Sequence, residues 1–148
     1  MTKRSDKADT LEGSCLCGAV QVALREPKPA IDICHCDMCR RWNGMYFGGV
    51  GGASFDIEGG DAVGVFQSSD WAERAFCRDC GSHLYFRFLP ADNYSFLAGL
   101  FDLPAAFEIE QQIFYDQKPG WYDLAQQTPC KTGAEIIAEA EAAGFTFD

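Results

Sequence analysis

Apolar and polar positions alternate along most of this chain, and the period is that of extended backbone. Between Gly13 and Leu24, the residues Val20, Val22 and Leu24 fall on one face of a strand, because side chains at i and i+2 share a side. Pro27-Lys28-Pro29 interrupts that run, and residues 30–36 are expected to be extended again. Residues 45–50, 55–58 and 62–67 read as short strands, set apart by the glycine pairs Gly51-Gly52 and Gly59-Gly60. Runs over 84–89, 94–100 and 107–115 follow, rich in the aromatic and β-branched side chains that suit a half-buried pleated surface. Turn signals at such short intervals predict a mainly β, sandwich-type domain and not βαβ units. Only the C-terminus has helical character. Thr132-Gly133-Ala134-Glu135 fits a capping box, and the Ala/Glu/Ile-rich run after it stops at Gly144. A short helix is expected over about 132–143, with Ile136, Ile137 and Ala140 on its buried face.

Composition narrows the class. The 148 residues suit one domain, expected over 11–148 behind a mobile leader over 1–10. Hydrophobic residues make up 47% and include twelve Phe, enough for a core. No stretch approaches the ~20 apolar residues of a membrane span. The polar start, Met1 to Lys7, is not followed by an apolar run, so the sequence is read as cytoplasmic and without a secretory signal. The formal net charge of −10 repels a phosphate backbone, which argues against nucleic acid as a general partner. An anionic small molecule would need Arg or Lys placed at its site.

The cysteines carry the chemistry. Seven of the eight fall in three clusters: Cys15-Leu16-Cys17, Cys34-His35-Cys36-Asp37-Met38-Cys39 and Cys77-Arg78-Asp79-Cys80, with Cys130 apart. Four disulfides do not suit a reducing compartment, and no βαβ pattern surrounds either CxxC to suggest a thioredoxin-like motif. Metal binding remains, and thiolate-rich sets of this spacing favour zinc. In a strand Cys15 and Cys17 would face one ion, and the Cys77/Cys80 turn before Gly81 would complete a tetrahedron. Keeping each cluster whole then leaves Cys34, Cys36 and Cys39 as a three-sulfur site. Two Zn²⁺ per chain are expected: one closed and structural, one with an open position that marks a catalytic metal. Cys130, His35 or His83 could instead close the second site.

These clusters carry a resemblance. Gly13-Ser14-Cys15-Leu16-Cys17-Gly18-Ala19-Val20, Cys34-His35-Cys36-Asp37-Met38-Cys39-Arg40 and Arg74-Ala75-Phe76-Cys77-Arg78-Asp79-Cys80-Gly81-Ser82 resemble the glutathione-dependent formaldehyde-activating enzyme family, which also contains centromere protein V. Ser68-Ser69 and the Trp121 that follows Lys118 look like weaker signatures of it. The resemblance spans about residues 13–124, and the helix after Cys130 looks like an addition. It implies an Mss4-like, mainly β fold. It also implies structural zinc on Cys15, Cys17, Cys77 and Cys80, and catalytic zinc on Cys34, Cys36 and Cys39. The namesake reaction joins formaldehyde to glutathione as S-hydroxymethylglutathione, a carbon–sulfur lyase type of chemistry.

A thiol substrate such as glutathione at the open metal position, with an aldehyde, is therefore the expected partner pair. Metal binding would lower the thiol's pKa from about 8.5 and hold a nucleophilic thiolate. Ser69, Arg74 and Trp121 are candidate substrate contacts, and Arg40, Arg41 and Arg78 lie beside the cysteines. Each arginine has the competing role of a surface ion pair, and Trp42 and Trp121 that of core packing. No phosphate loop is present, since the glycines around 44–52 lack a following Gly-Lys-Ser/Thr. The rival function is a non-catalytic zinc module that docks a protein, which predicts a fully coordinated second metal and an exposed apolar patch.

Overall fold

A computed structural model of the chain describes residues 9–147, which fall into two compact units. Residues 1–8 of the expected leader lie outside the described residues. The fold is mainly β with a short C-terminal helix.

The first unit comprises residues up to 30 together with 49–108. One sheet in it orders β1 (Thr10–Ser14), β2 (Gln21–Arg25) and β5 (Ser54–Glu58) as antiparallel neighbours. The period-two pattern read from the sequence places Val22 and Leu24 of β2 in the core, with Val20 just before them. A second sheet places β9 (Asn93–Leu97), β8 (His83–Phe88), β7 (Ala72–Cys77) and β6 (Val63–Ser69) in that order, with Gly49 and Val50 at the end of β4 (Phe47–Val50) pairing to β9. Phe55 of the first sheet meets Tyr94 and Phe96 of the second at ring-centroid distances of 4.5 and 5.0 Å. The inner faces of the two sheets thus share an aromatic cluster, as a sandwich requires. Gly59 has φ +81°, and a Cβ there would overlap the Ala19 carbonyl oxygen, so only glycine suits this turn.

The second unit comprises residues 31–48 and 109–148. Its strands β3 (Ala30–Cys34), β10 (Glu108–Ile113) and β11 (Cys130–Lys131) are successive neighbours, with β10 and β11 parallel. Two helices accompany them. The helix α2 (Gly133–Ala142) begins where the capping box predicts: Thr132 Oγ1 accepts from the Glu135 N–H at 3.1 Å, and the Glu135 carboxylate accepts from the Thr132 N–H at 3.0 Å. Its buried face differs from the expected one. Ile137 is 40% exposed, Ile136 and Ala140 are half-buried, and Gly133 is the buried residue of the helix, packed so closely on Phe114 that a side chain would clash.

The other helix, α1 (Asp37–Asn43), corrects the expectation of a single helical segment. The strand β3 ends at Cys34, while Cys36 keeps extended dihedrals at φ −64° and ψ 157°. Cys36 then serves as the N-cap, its Sγ accepting from the Cys39 N–H at 3.3 Å. Gly44 closes the helix in the left-handed region at φ 85°, its N–H bonded to the Arg40 carbonyl.

Candidate metal centres and their surroundings

The first cluster is built from two turns of the first unit. Cys15 and Cys17 do not share a strand face, as the i, i+2 argument supposed; both lie in a turn just after β1. The Cys15 N–H bonds the Val20 carbonyl at 3.0 Å, and the Gly18 N–H bonds the Cys15 carbonyl at 3.1 Å, with Gly18 at φ 82°. The second turn repeats this pattern at the end of β7. There the Cys77 N–H bonds the Ser82 carbonyl and the Gly81 N–H bonds the Cys77 carbonyl, each at 2.8 Å, with Gly81 at φ 81°. A left-handed glycine after the last cysteine folds each turn back on itself, so that its two sulfurs converge.

The four sulfurs of Cys15, Cys17, Cys77 and Cys80 lie within 4.8 Å of one another. Cys15–Cys17 is 3.6 Å and Cys17–Cys77 is 3.8 Å. Four thiolates held tetrahedrally at Zn–S of about 2.3 Å stand about 3.8 Å apart, so the spacing fits that ion. The electrostatics agree. Hydrogen bonds from Ser82 pull the Cys80 thiol down to about 5. An Ala19 N–H favours the Cys17 thiolate, but burial and the neighbouring sulfurs outweigh it and push Cys17 up to about 12. Four sulfurs this close do not all ionise unaided, and a dication removes the conflict. The Ser82 hydroxyl oxygen also accepts from the Leu16 N–H at 3.0 Å, which ties the two turns together.

The second cluster lies in the second unit, where Cys34 ends β3, Cys36 caps α1 and Cys39 is buried in its first turn. Their sulfurs also lie within 4.8 Å of one another. The Cys36 and Cys39 sulfurs drive the Cys34 thiol far above its ordinary value, with burial adding to the push. This is again the signature of ligands gathered for a cation. Among the described residues, no fourth Cys, His, Asp or Glu ligand atom joins the group. Cys130 is exposed, and its thiol donates to the Thr128 carbonyl at 3.4 Å.

His35 is committed elsewhere. Its ring is 0% exposed, with Nδ1 2.6 Å from the Tyr122 hydroxyl and Nε2 2.7 Å from Gln112 Oε1. Both nitrogens are therefore engaged, which overturns the alternative that His35 closes the second site. Burial, joined by the positive charges of Lys118 and Arg40, holds its pKa below the ordinary value. Tyr46, Tyr115 and Tyr122 surround it at ring-centroid distances of 6.2, 5.7 and 5.5 Å. Gln112, Tyr122 and Tyr46 are absent from the residues that sequence reasoning selected. Gln112 gave no signal, because strand alternation groups it with Glu108 and Glu110 on what reads as the polar face of 107–115.

Of the candidate substrate contacts, Ser69 and Arg74 belong to the first unit and Trp121 to the second. Ser69 Oγ accepts from the Trp71 N–H at 3.3 Å at the tip of the β6–β7 hairpin, beside a bulge. Arg74 is only 2% exposed, its guanidinium 5.1 Å from the Phe86 ring centroid. Trp121 is 65% exposed and stands edge-on to Tyr122 at 4.9 Å. Arg40 Nε donates to the His35 carbonyl at 3.0 Å, and Arg41 pairs with Asp37 at 3.3 Å. Arg78 is exposed.

The glutathione-dependent formaldehyde-activating enzyme model matches residues 10–117, which hold both cysteine groups. The chain belongs to this family. It is 34% identical over 128 residues to an uncharacterized lyase of Schizosaccharomyces pombe, covering 85% of this chain and 93% of the relative. A Halomonas elongata protein, provisionally named a glutathione-dependent formaldehyde-activating enzyme, is 30% identical over 147 residues, covering 87% and 92%. The crystal structure of a Rhodobacter sphaeroides protein shares the fold, with a TM-score of 0.52 at 22% identity over 62% of this chain and 87% of that one. The names of the family and of these relatives support an enzyme at the level of the family. The Trp121–Tyr122 pair and α2 lie beyond the matched segment.

Proposed function

We propose that this family member is a zinc-dependent carbon–sulfur lyase-type enzyme acting on a thiol–aldehyde adduct, with glutathione and formaldehyde as its substrates. The observation that carries this reading is the second cluster: three sulfurs within 4.8 Å, with no fourth ligand among the described residues and His35 held away from metal by two hydrogen bonds. Cys15, Cys17, Cys77 and Cys80 would hold the structural zinc, and Cys34, Cys36 and Cys39 the catalytic one. A zinc ion on three thiolates supplies activation of a fourth sulfur, lowering the pKa of a bound thiol at neutral pH. The protein's own part is placement. The Cys36 cap and the α1 turn fix the three donors, while the buried His35 anchors the strand end between them. Ser69, Arg74 and Trp121 are proposed as substrate contacts. The thiol chemistry suits a reducing compartment, so a cytoplasmic site of action is proposed with it; among the described residues no helix is long and apolar enough to cross a membrane.

The alternative, a zinc module that docks a protein, draws on one feature: Val65 and Phe66 are about half exposed on β6, the end strand of its sheet. Calorimetric titration of glutathione into zinc-loaded protein, repeated on Cys36→Ser, separates the two readings. Binding that vanishes with the second metal is the expected outcome. Equal binding by both proteins, or none by either, would overturn the assignment of glutathione to the Cys34–Cys39 centre.

A further inference from the structure

The imidazole of His35, between Cys34 and Cys36 in sequence, sits in a hydrogen-bond chain whose direction can be worked out from its far end. The Pro129 carbonyl can only accept, and the Thr128 hydroxyl donates to it at 3.1 Å. That leaves Thr128 Oγ1 as the acceptor for Gln112 Nε2 at 3.3 Å, which turns the Gln112 carbonyl oxygen toward His35. His35 Nε2 therefore carries the proton of that 2.7 Å bond. In the neutral ring, Nδ1 is then a bare acceptor, and the Tyr122 hydroxyl donates to it at 2.6 Å.

The segment that carries Tyr122 is irregular and holds itself together separately. Lys118 Nζ donates to the carbonyls of Pro119 and Tyr122 at 3.0 and 2.6 Å and pairs with Asp123 at 2.7 Å. Its ammonium stands 5.3 Å from the Tyr122 ring centroid. These contacts shape the turn whether or not it is fixed to anything. The Tyr122 hydroxyl fixes it to the ring of the residue that lies between Cys34 and Cys36 in sequence, and the exposed Trp121 rides on the same turn.

We propose that Tyr122 is a positioning residue for thiol binding, its hydroxyl locking the 118–123 turn, and Trp121 with it, to the imidazole of His35. This rests on the reading of the three-sulfur centre as a thiol site. Tyr122 makes no bond to the sulfurs in this role; it acts through His35 and the turn.

The test is Tyr122→Phe in the full zinc-loaded chain, with three readouts. Metal analysis should return the wild-type zinc content, because no donor is removed and the Lys118 clamp survives. Hydrogen–deuterium exchange of residues 118–124 should quicken by about tenfold, the size expected when one buried hydrogen bond is lost. The calorimetric Kd for glutathione should rise by about the same factor. A scaffold role alone would change the melting temperature and leave that Kd at its wild-type value. Unchanged exchange in 118–124 would overturn the lock. Quickened exchange with an unchanged Kd would overturn the link to thiol binding. A wild-type protein that binds no glutathione would overturn the functional reading together with that link, while the exchange result would still judge the lock on its own.

Discussion

Cys77→Ser tests the division of labour between the two cysteine groups most directly. Cys77 is fully buried, and its sulfur stands 3.8 Å from Cys17, sixty residues away in sequence. A metal on this group therefore closes a loop of that length. The closure term, (3/2)RT ln n, is about 3.6 kcal/mol for such a loop before any constant is added. Structural zinc contributes on the order of 10 kcal/mol to folding in small metal-dependent domains, so the closure term is a lower bound on the loss. A domain with 5–15 kcal/mol of total stability would lose a quarter to most of it, by about 4 kcal/mol at least. With a urea slope of about 2 kcal/mol/M, the midpoint should fall by about 2 M. The assay is urea unfolding followed by far-ultraviolet circular dichroism on the zinc-loaded protein, with metal counted in parallel. Cys36→Ser is the matched control, since it removes a donor from the other group. A Cys77→Ser midpoint equal to wild type, or an equal fall in both variants, would refute the argument that the four-sulfur group is the structural one.

The remaining predictions address the second metal, a turn and a helix cap. Cys36→Ser should leave circular dichroism at its wild-type level while metal analysis falls from two ions per chain to one. Gly59→Ala should cost at least about 2 kcal/mol in urea unfolding, because φ +81° is strained for alanine and its Cβ would overlap the Ala19 carbonyl beside the Cys15–Cys17 turn. Thr132→Ala should cost about 1 kcal/mol of helix stability, seen as faster amide exchange in α2 and not in the sheets. Hydrogen bonding from Thr132 holds the Glu135 carboxyl below its ordinary value. Its contribution is therefore complete above the unfolded carboxyl pKa and is lost as pH falls through the lower folded value. Exchange in α2 should quicken relative to the sheets on acidification across that window in the wild type, and not in Glu135→Gln, which has no carboxyl to protonate.

What was legible in the sequence was what is local. Gly81 announces the Cys77–Cys80 turn, and Thr132 with Glu135 announces α2, because these signals need no partner from elsewhere in the chain, whereas the Cys15–Cys17 turn reads as a continuation of its strand. The strand around Val22 was legible because one face is buried and the period shows it, while those around Leu84 and Phe96 were legible from their aromatic and β-branched content. By contrast, α1 has no apolar stripe to betray it: Cys39 is its buried residue, and its start is capped by a cysteine sulfur where Ser, Thr, Asp or Asn is the usual cue. β7 was missed for a related reason. Glu73 and Arg74 break its apolar run, although Arg74 is buried against Phe86.

The surroundings of the second cluster were hidden on the same principle. The sequence supplied a histidine between two cysteines, which on spacing alone is a plausible ligand. Its actual partners, Gln112 and Tyr122, stand 77 and 87 residues further along, one on a strand and one in an irregular segment with no period. Spacing can therefore count the sulfurs of such a centre and group them. It does not reveal that both ring nitrogens of His35 are already hydrogen-bonded, and that engagement is what leaves three sulfurs without a fourth donor from His35. The chemistry proposed here turns on that hydrogen-bond pairing as much as on the cysteines, and Gln112 and Tyr122 are accordingly the residues whose substitution probes the site without removing a single metal donor.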